Sequence, residues 1–434
     1  MTYEEAVRAL ERISERGIKP GLSRVRALLS RLGRPDLKFP SVIVGGTNGK
    51  GSICAFLSNI LIEAGLKVGL YTSPHLLQWR ERMAVDGELV SPEEFGGAVG
   101  EALRASKGMR DKPTPFEVLT AAALWLFAQK GVDIAVLEVG MGGRWDATNA
   151  TRNVLASIVS NVGLDHTQWL GDTVEEIAVE KAWIARRGKP FITSALPGEG
   201  REVLLQVAKG KGATPLVVGN DEGSQARVRA GPRGSFSVEF EGRVFRCPKP
   251  GIEGRRQPLN AACAVVCSML LGVNLPEEAI GRAIGRTSLP GRFQILDGSP
   301  TVVLDVAHNA EAAKHLAQTL ESRFPGRKAL LVCAMFSDKP HLKFAEALRP
   351  IASRAFVAPM TIERPFPAEA LAEEFRRAGI GEVRAFKSIR GAFEAALSEA
   401  REREVVLVCG SFVTVGEALK ILRGRSRANR EKGR

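Results

Sequence analysis

No apolar run in the 434 residues approaches the roughly 18 needed to cross a membrane as a helix. The first residues, Met-Thr-Tyr-Glu-Glu-Ala-Val-Arg, lack the basic start and apolar stretch of a secretory leader, so the sequence predicts a cytoplasmic protein with no membrane partner. Cysteine is sparse. Cys54, Cys247, Cys263, Cys267, Cys333 and Cys409 include no CxxC pair, and Cys263 and Cys267 fall one turn apart on an apolar stretch. That pattern predicts buried thiols rather than disulfides or a metal site. Only five histidines are present, which argues against zinc. No internal repeat appears, and the only biased segment is the tail after residue 422, where six Lys and Arg face the single Glu431. The tail reads as disordered and solvated. The net charge of +13 goes with no nucleic-acid motif, so it predicts a body that favours anionic small molecules, with no nucleic acid as partner.

What is present is an α/β rhythm. Nearly continuous apolar strands at 42–45, 67–72, 133–139, 155–161 and 190–194 alternate with helices at 52–63, 117–130 and 173–186. This predicts an N-terminal P-loop-type domain, a mainly parallel sheet with helices on both faces. Residues 226–230, 235–240 and 243–246 alternate apolar and polar residues and predict an antiparallel edge; helices follow at about 258–272 and 276–285. The rhythm restarts near Pro290-Gly291, with strands at 301–306, 328–334, 354–358, 382–386 and 404–409. That is a smaller, Rossmann-like C-terminal α/β domain. The predicted divisions are 1–295, 296–422 and the basic tail 423–434, with a cleft between the two domains as the default ligand site.

The most informative segment is Val42-Ile-Val-Gly-Gly-Thr-Asn-Gly-Lys-Gly-Ser52. A strand runs into a glycine-rich turn, then a helix with Ile53, Phe56, Leu57, Ile60 and Leu61 on one face, stopped at Gly65. Such a turn offers backbone N–H groups to phosphate, the helix aims its positive end there, and Lys50 adds a full charge. The common phosphate loop places Ser or Thr directly after the lysine; here Gly51 intervenes before Ser52. Glu138 ends an apolar strand before the glycine-rich 139–144 stretch, at the edge where parallel sheets bind ligands, and is placed to hold Mg²⁺ on a nucleotide. His166 closes the next strand at the same edge, although a lone histidine is more often a hydrogen-bonded structural residue. Lys181 by itself is an ordinary helix lysine. Asp305-Val-Ala-His-Asn309, Gln257-Pro-Leu-Asn260 and Pro290-Gly-Arg-Phe293 add polar groups on both sides of the domain junction.

Taken in order, these blocks resemble the folylpolyglutamate synthase / dihydrofolate synthase family of the Mur ligase superfamily. The matching blocks are Gly46–Ser52, Tyr71-Thr-Ser-Pro-His-Leu76, Leu137–Gly140, Gly142–Arg144, Asp146–Asn149, Leu164-Asp-His-Thr167, Glu180-Lys-Ala182, Leu289–Gln294 and Asp305 with Ala307-His-Asn309. The resemblance implies ATP-dependent addition of L-glutamate to a pteroate or folate carboxylate through an acyl phosphate. It implies that Asn48, Gly49, Lys50, Gly51 and Ser52 hold the phosphates, and that Asn260, Arg292, Asp305 and His308 contact or lie near ATP. Ser73 and Glu138 would bind one Mg²⁺, His166 with Glu138 a second, and Lys181 would carry a CO₂-derived carbamate supporting the second metal. Lys50, His166 and Lys181 are then the catalytic set. Gly21, Leu22, Ser23, Arg24, Thr114, Pro115, Phe116, Glu117, Arg144, Trp145, Asp146 and Ala147 would line the pterin side; Arg82 and Ser411 would meet substrate carboxylates. A monomer is expected. Three positions depart from the family pattern: Trp145 for a leucine, Trp183 for a glycine, and Pro340 for an acidic residue. A Mur ligase acting on a cell-wall nucleotide precursor is the alternative, and the pterin-loop matches argue against it.

Overall fold

The computed structural model describes residues 1–14, 17–361 and 365–432. The chain forms two compact units, Met1–Gly251 with Gln257–Ser288, and Ile252–Arg256 with Leu289–Arg434. The division falls before the expected 295, because Gln294–Leu296 is already a strand pairing with Val302–Leu304 of the second unit.

The first unit carries eleven strands: β1 Ser41–Gly45, β2 Val68–Tyr71, β3 Met83–Val85, β4 Glu88–Leu89, β5 Ile134–Glu138, β6 Val154–Val159, β7 Pro190–Thr193, β8 Thr214–Gly219, β9 Ala226–Ala230, β10 Phe236–Phe240 and β11 Arg243–Cys247. Their order is β11-β10-β9-β8-β7-β6-β1-β5-β2-β3-β4. From β9 to β2 every neighbouring pair is parallel; β9-β10-β11 and β2-β3-β4 are antiparallel edges. The expected mainly parallel sheet with an antiparallel edge is observed. Successive side chains alternate between faces, and every residue of β1 and β5 is buried, so both faces of the central sheet are covered. One core joins Ala135 and Leu137 to helices Tyr3–Ser14, Ser23–Arg31, Pro92–Ala105 and Pro115–Lys130. A second joins Ile43, Val154, Val159 and Phe191 to helices Val174–Ala182 and Glu199–Gly210.

The helix after the glycine turn is Lys50–Glu63. It is not amphipathic: Gly51 to Ser58, Ile60 and Leu61 are all buried, since it packs on β1 and β5 and on helix Gln257–Leu270. The sequence reading of a single apolar face is corrected by this double cover. All six cysteines are free and buried, as expected.

The second unit has strands β12 Gln294–Leu296, β13 Val302–Leu304, β14 Lys328–Cys333, β15 Ala352–Val357, β16 Glu382–Ala385 and β17 Glu404–Cys409, ordered β12-β13-β17-β14-β15-β16. Only β12 runs antiparallel. Its last helix is Phe412–Lys432, so backbone helix continues through most of the basic tail; of the stretch expected to be disordered, 433–434 lie outside the described residues. Among the described residues no helix is long and apolar enough to cross a membrane.

Candidate active site

Register brings the expected phosphate loop and its neighbours to one edge. Val44 pairs with Glu138 on one side and Ile158 on the other, so β1, β5 and β6 end nearly flush. The chain then turns through Gly46 (φ 135°) and Gly49 (φ 89°), a backbone region that glycine adopts at little cost. Space also demands glycine there: an added Cβ at Gly46 would lie 1.9 Å from Ser160 Oγ, and one at Gly49 2.9 Å from Asn260 Oδ1. The end of β6 braces the loop. Ser160 Oγ donates to Asn48 O at 2.6 Å, and Asn48 N donates to Asn161 Oδ1 at 2.8 Å. Lys50 Nζ donates to Gly46 O and Thr47 O, both at 3.1 Å. No side chain caps the Lys50–Glu63 helix, which leaves its positive end suited to an anion. Asn260 Nδ2 donates to Gln257 Oε1 (3.0 Å), and Gln257 Nε2 to Ser52 Oγ (3.4 Å), so the expected ATP residues Ser52 and Asn260 form one network.

Glu138 is 3% exposed, and its Oε2 accepts from Ser73 N at 2.9 Å; the two expected ligands of the first metal are therefore adjacent. Carboxylate and hydroxyl oxygens are hard donors suited to Mg²⁺. Among the described residues no three His, Cys, Asp or Glu side chains converge on a site that could hold a metal ion. Arg82 Nε donates to His75 Nδ1 at 3.0 Å, its guanidinium lies over Trp79, and burial lowers its pKa while Tyr71 and Glu138 act against that.

Lys181 is 3% exposed, and its Nζ donates to Gly46 O at 3.1 Å, which puts the helix lysine against the phosphate loop. Burial first, then the charge of Lys50, pull its pKa down to about 7, with Asp165 acting against them. His166 sits in left-handed backbone (φ 52°) with its Nε2 3.9 Å from Asp165 Oδ2. Asp165, Ser160 and Asn161 were not singled out in the sequence. The signal was their position at the carboxyl end of a central strand, next to the strand feeding the loop.

The expected pterin segments also meet. Arg24 Nε bonds both Glu117 oxygens (3.1 and 3.0 Å), and Arg24 Nη1 bonds Asp111 at 3.1 Å. Thr114 and Glu117 form a reciprocal cap on helix Pro115–Lys130. Both ends of the Arg24–Glu117 pair are buried, and the pair ties the Gly21–Ser23 segment to the start of helix Pro115–Lys130. The Phe116 ring lies so close to Gly140 that an added Cβ there would be 2.6 Å from its Cζ. Asp146 Oδ2 accepts from Gly140 N and Met141 N (3.0 and 3.1 Å), folding the loop that carries Arg144, Trp145 and Ala147. Gly21, Leu22, Ser23, Arg144 and Trp145 line a common cavity. Pro115 opens the capped helix at its first turn.

In the second unit Asp305 Oδ2 accepts from Phe293 N and Oδ1 from Ala307 N, both at 2.8 Å. Burial raises its pKa, and Arg292 and these amides oppose that. Arg292 lies over Phe412 (5.4 Å), and the His308 ring is near the same ring (6.5 Å). The second-unit residues expected at ATP are thus neighbours within that unit. Ser411 is 1% exposed; its Oγ meets Thr414 Oγ1 at 2.6 Å and accepts from Thr414 N, so it caps the last helix.

Two family models match: Mur ligase middle domain over residues 44–267, and Mur ligase, glutamate ligase domain over 291–412. The chain is 36% identical over 423 residues to the dihydrofolate synthase/folylpolyglutamate synthase of Escherichia coli, covering 96% of this chain and 94% of that relative. It is 32% identical to the Bacillus subtilis protein of the same name, covering 94% and 96%. The structure of E. coli FolC in complex with DHPP and ADP superposes with a TM-score of 0.90 at 34% identity, covering 98% of this chain and 99% of that one. A bifunctional folylpolyglutamate synthase/dihydrofolate synthase with Mn, AMPPNP and L-glutamate bound gives a TM-score of 0.87 at 32% identity, covering 98% of each. The glycine turn, the flush strand ends and this end-to-end similarity agree: the chain belongs to the dihydrofolate synthase/folylpolyglutamate synthase family of the Mur ligases.

Proposed function

We propose that the chain is an ATP-dependent ligase adding L-glutamate to the carboxylate of dihydropteroate, of a folate glutamate tail, or of both. The observation that carries this is the juxtaposition of the Gly46–Gly49 turn, Lys50, Glu138 and Lys181 at one sheet edge, in a chain similar along its length to enzymes of that name. The acceptor carboxylate attacks the terminal phosphorus of ATP, forming a C–O–P bond and releasing ADP. The glutamate amine then attacks the acyl carbon, an amide forms, phosphate leaves, and the amine loses a proton. The difficulty is electrostatic, because a carboxylate must approach a polyphosphate. The loop amides, the positive helix end and Lys50 lower that repulsion. Magnesium, when bound, neutralises phosphate charge, and Glu138 with Ser73, and His166, are the residues to hold it.

Lys181 fits a carbamate. Its pKa of about 7 leaves a large neutral-amine fraction at pH 7–8, and only the neutral amine adds to CO₂. The product is an anion, which suits a pocket shared with Lys50.

The test is labelled-glutamate incorporation into dihydropteroate and tetrahydrofolate side by side, with ADP release followed in parallel. New amide coupled to ADP is expected; ADP release without amide overturns the reading. His166→Ala is expected to lower turnover at least about 100-fold, or roughly 2.7 kcal/mol of barrier. Near-normal turnover of that variant at saturating Mg²⁺ removes His166 from the metal site.

A further inference from the structure

The segment Tyr71-Thr-Ser-Pro-His-Leu76 supplies Ser73 to the reaction edge, but nothing in the phosphate chemistry uses its His75. The contact that His75 makes with Arg82 gives it a use. His75 Nδ1 accepts from Arg82 Nε at 3.0 Å, so the ring proton sits on Nε2. The guanidinium lies over the Trp79 ring at 5.0 Å, and the His75 ring packs on the same tryptophan, with centroids 4.7 Å apart. Thr72 N donates to Arg82 O at 3.0 Å, which closes the loop and brings residue 75 back against residue 82.

The loop that carries these groups is itself braced. The Glu81 carboxylate accepts from Leu76 N, Leu77 N and Gln78 N at 2.8, 3.1 and 2.9 Å. Trp79 N donates to Tyr3 Oη at 3.1 Å, which ties the loop to the first helix. The ring under Arg82 is therefore fixed from the side away from the phosphate loop.

Arg82 has donors to spare. Among the described residues neither of its Nη atoms has a hydrogen-bond partner. The guanidinium is close enough to Tyr71 and Glu138 to feel their charge, and Glu138 is bonded to Ser73. With Nε taken by His75, what remains is the pair of Nη groups, a planar fork that matches the two oxygens of a carboxylate.

We propose that His75 is a positioning residue for ligation: by accepting from Nε it holds the Arg82 fork toward a substrate carboxylate, and it touches no substrate itself. The proposal rests on the ligase reading above. The carboxylate belongs either to the acceptor or to the incoming glutamate, and the two KM values tell these apart.

The experiment is steady-state glutamate incorporation by the full chain, with acceptor, glutamate and ATP varied in turn. In His75→Leu the KM for one carboxylate substrate is expected to rise at least about tenfold, with kcat within about threefold and the KM for ATP unchanged. His75→Asn is expected to restore that KM, because Asn Oδ1 takes the place of Nδ1 and accepts from Nε. His75→Gln, whose amide reaches one bond further, is not. Should His75→Leu fail to fold, as its thermal midpoint reports, the Asn and Gln variants carry the same comparison. Because the effect runs through Arg82, His75→Leu is expected to add less than about twofold to Arg82→Leu. An unchanged KM in His75→Leu, a rise for ATP alone, losses that multiply in the double variant, or an Asn variant no better than Gln overturns the proposal and leaves the ligase reading standing. A wild-type chain that forms no amide on any acceptor overturns the ligase reading, and the proposal with it.

Discussion

Lys181→Met is expected to lower glutamate incorporation at least about a thousand-fold, roughly 4 kcal/mol of barrier, while making the fold more stable at pH 6. The two effects have one cause. Lys181 is 3% exposed and close enough to Lys50 to feel its charge; burial and that repulsion bring its pKa to about 7 from 10.5. Between those values the unfolded chain binds the proton more tightly than the folded one. Stability therefore rises with pH across that window, and the penalty is fully present below about pH 7. Methionine fills a similar volume without the charge. Its removal of the Nζ donor does not orphan Gly46 O, which still accepts from Lys50 Nζ. The gain in denaturation midpoint is expected to be largest at pH 6 and to shrink toward pH 10. Isotopically labelled bicarbonate, expected to mark the wild type and not the variant, reports the carbamate directly. A Met variant that ligates normally, or that loses stability at pH 6, removes the functional reading of this lysine.

Arg24→Met is expected to cost about 3–5 kcal/mol of stability, because it leaves Glu117 charged and buried without its partner. Glu117 is 5% exposed and accepts Thr114 N at 2.7 Å, so it cannot swing to water without opening the cap of helix Pro115–Lys130. The loss should spread to the acceptor side, since the same residues fix the Gly21–Ser23 turn: Arg24 Nη2 reaches Gly21 O at 3.5 Å. Chemical denaturation of the single variant and of Arg24→Met/Glu117→Gln separates the terms. The double variant is expected to recover part of the loss, as neutral Gln carries less desolvation cost than an unpaired carboxylate. A single variant within 1 kcal/mol of wild type would show that the pair does not bear on folding.

Local pattern carried the strand assignments. β1 and β5 are short apolar runs ending in glycine or acid, and an all-buried parallel strand has that composition. The turn was legible because glycines at 46 and 49 answer a backbone need that no other residue meets easily. The helix after it was misread as one-sided. Its second cover, Gln257–Leu270, lies about 200 residues away, and no local window contains it. Arg24 and Glu117 were grouped by motif, but that each occupies the other is a contact 93 residues apart in sequence.

The sequence by itself determined the two α/β units, the glycine turn and the order of the family's motifs, because strand period, glycine backbone freedom and motif spacing are properties of neighbouring residues. Only the tertiary structure decided that Lys181 is a desolvated amine on the phosphate loop, that the Asp165 charge acts on it while lying 3.9 Å from His166, and that five cations converge on one cavity. Burial and electrostatics act through space, so the groups that set a pKa or gather a charge are chosen by packing and not by position along the chain.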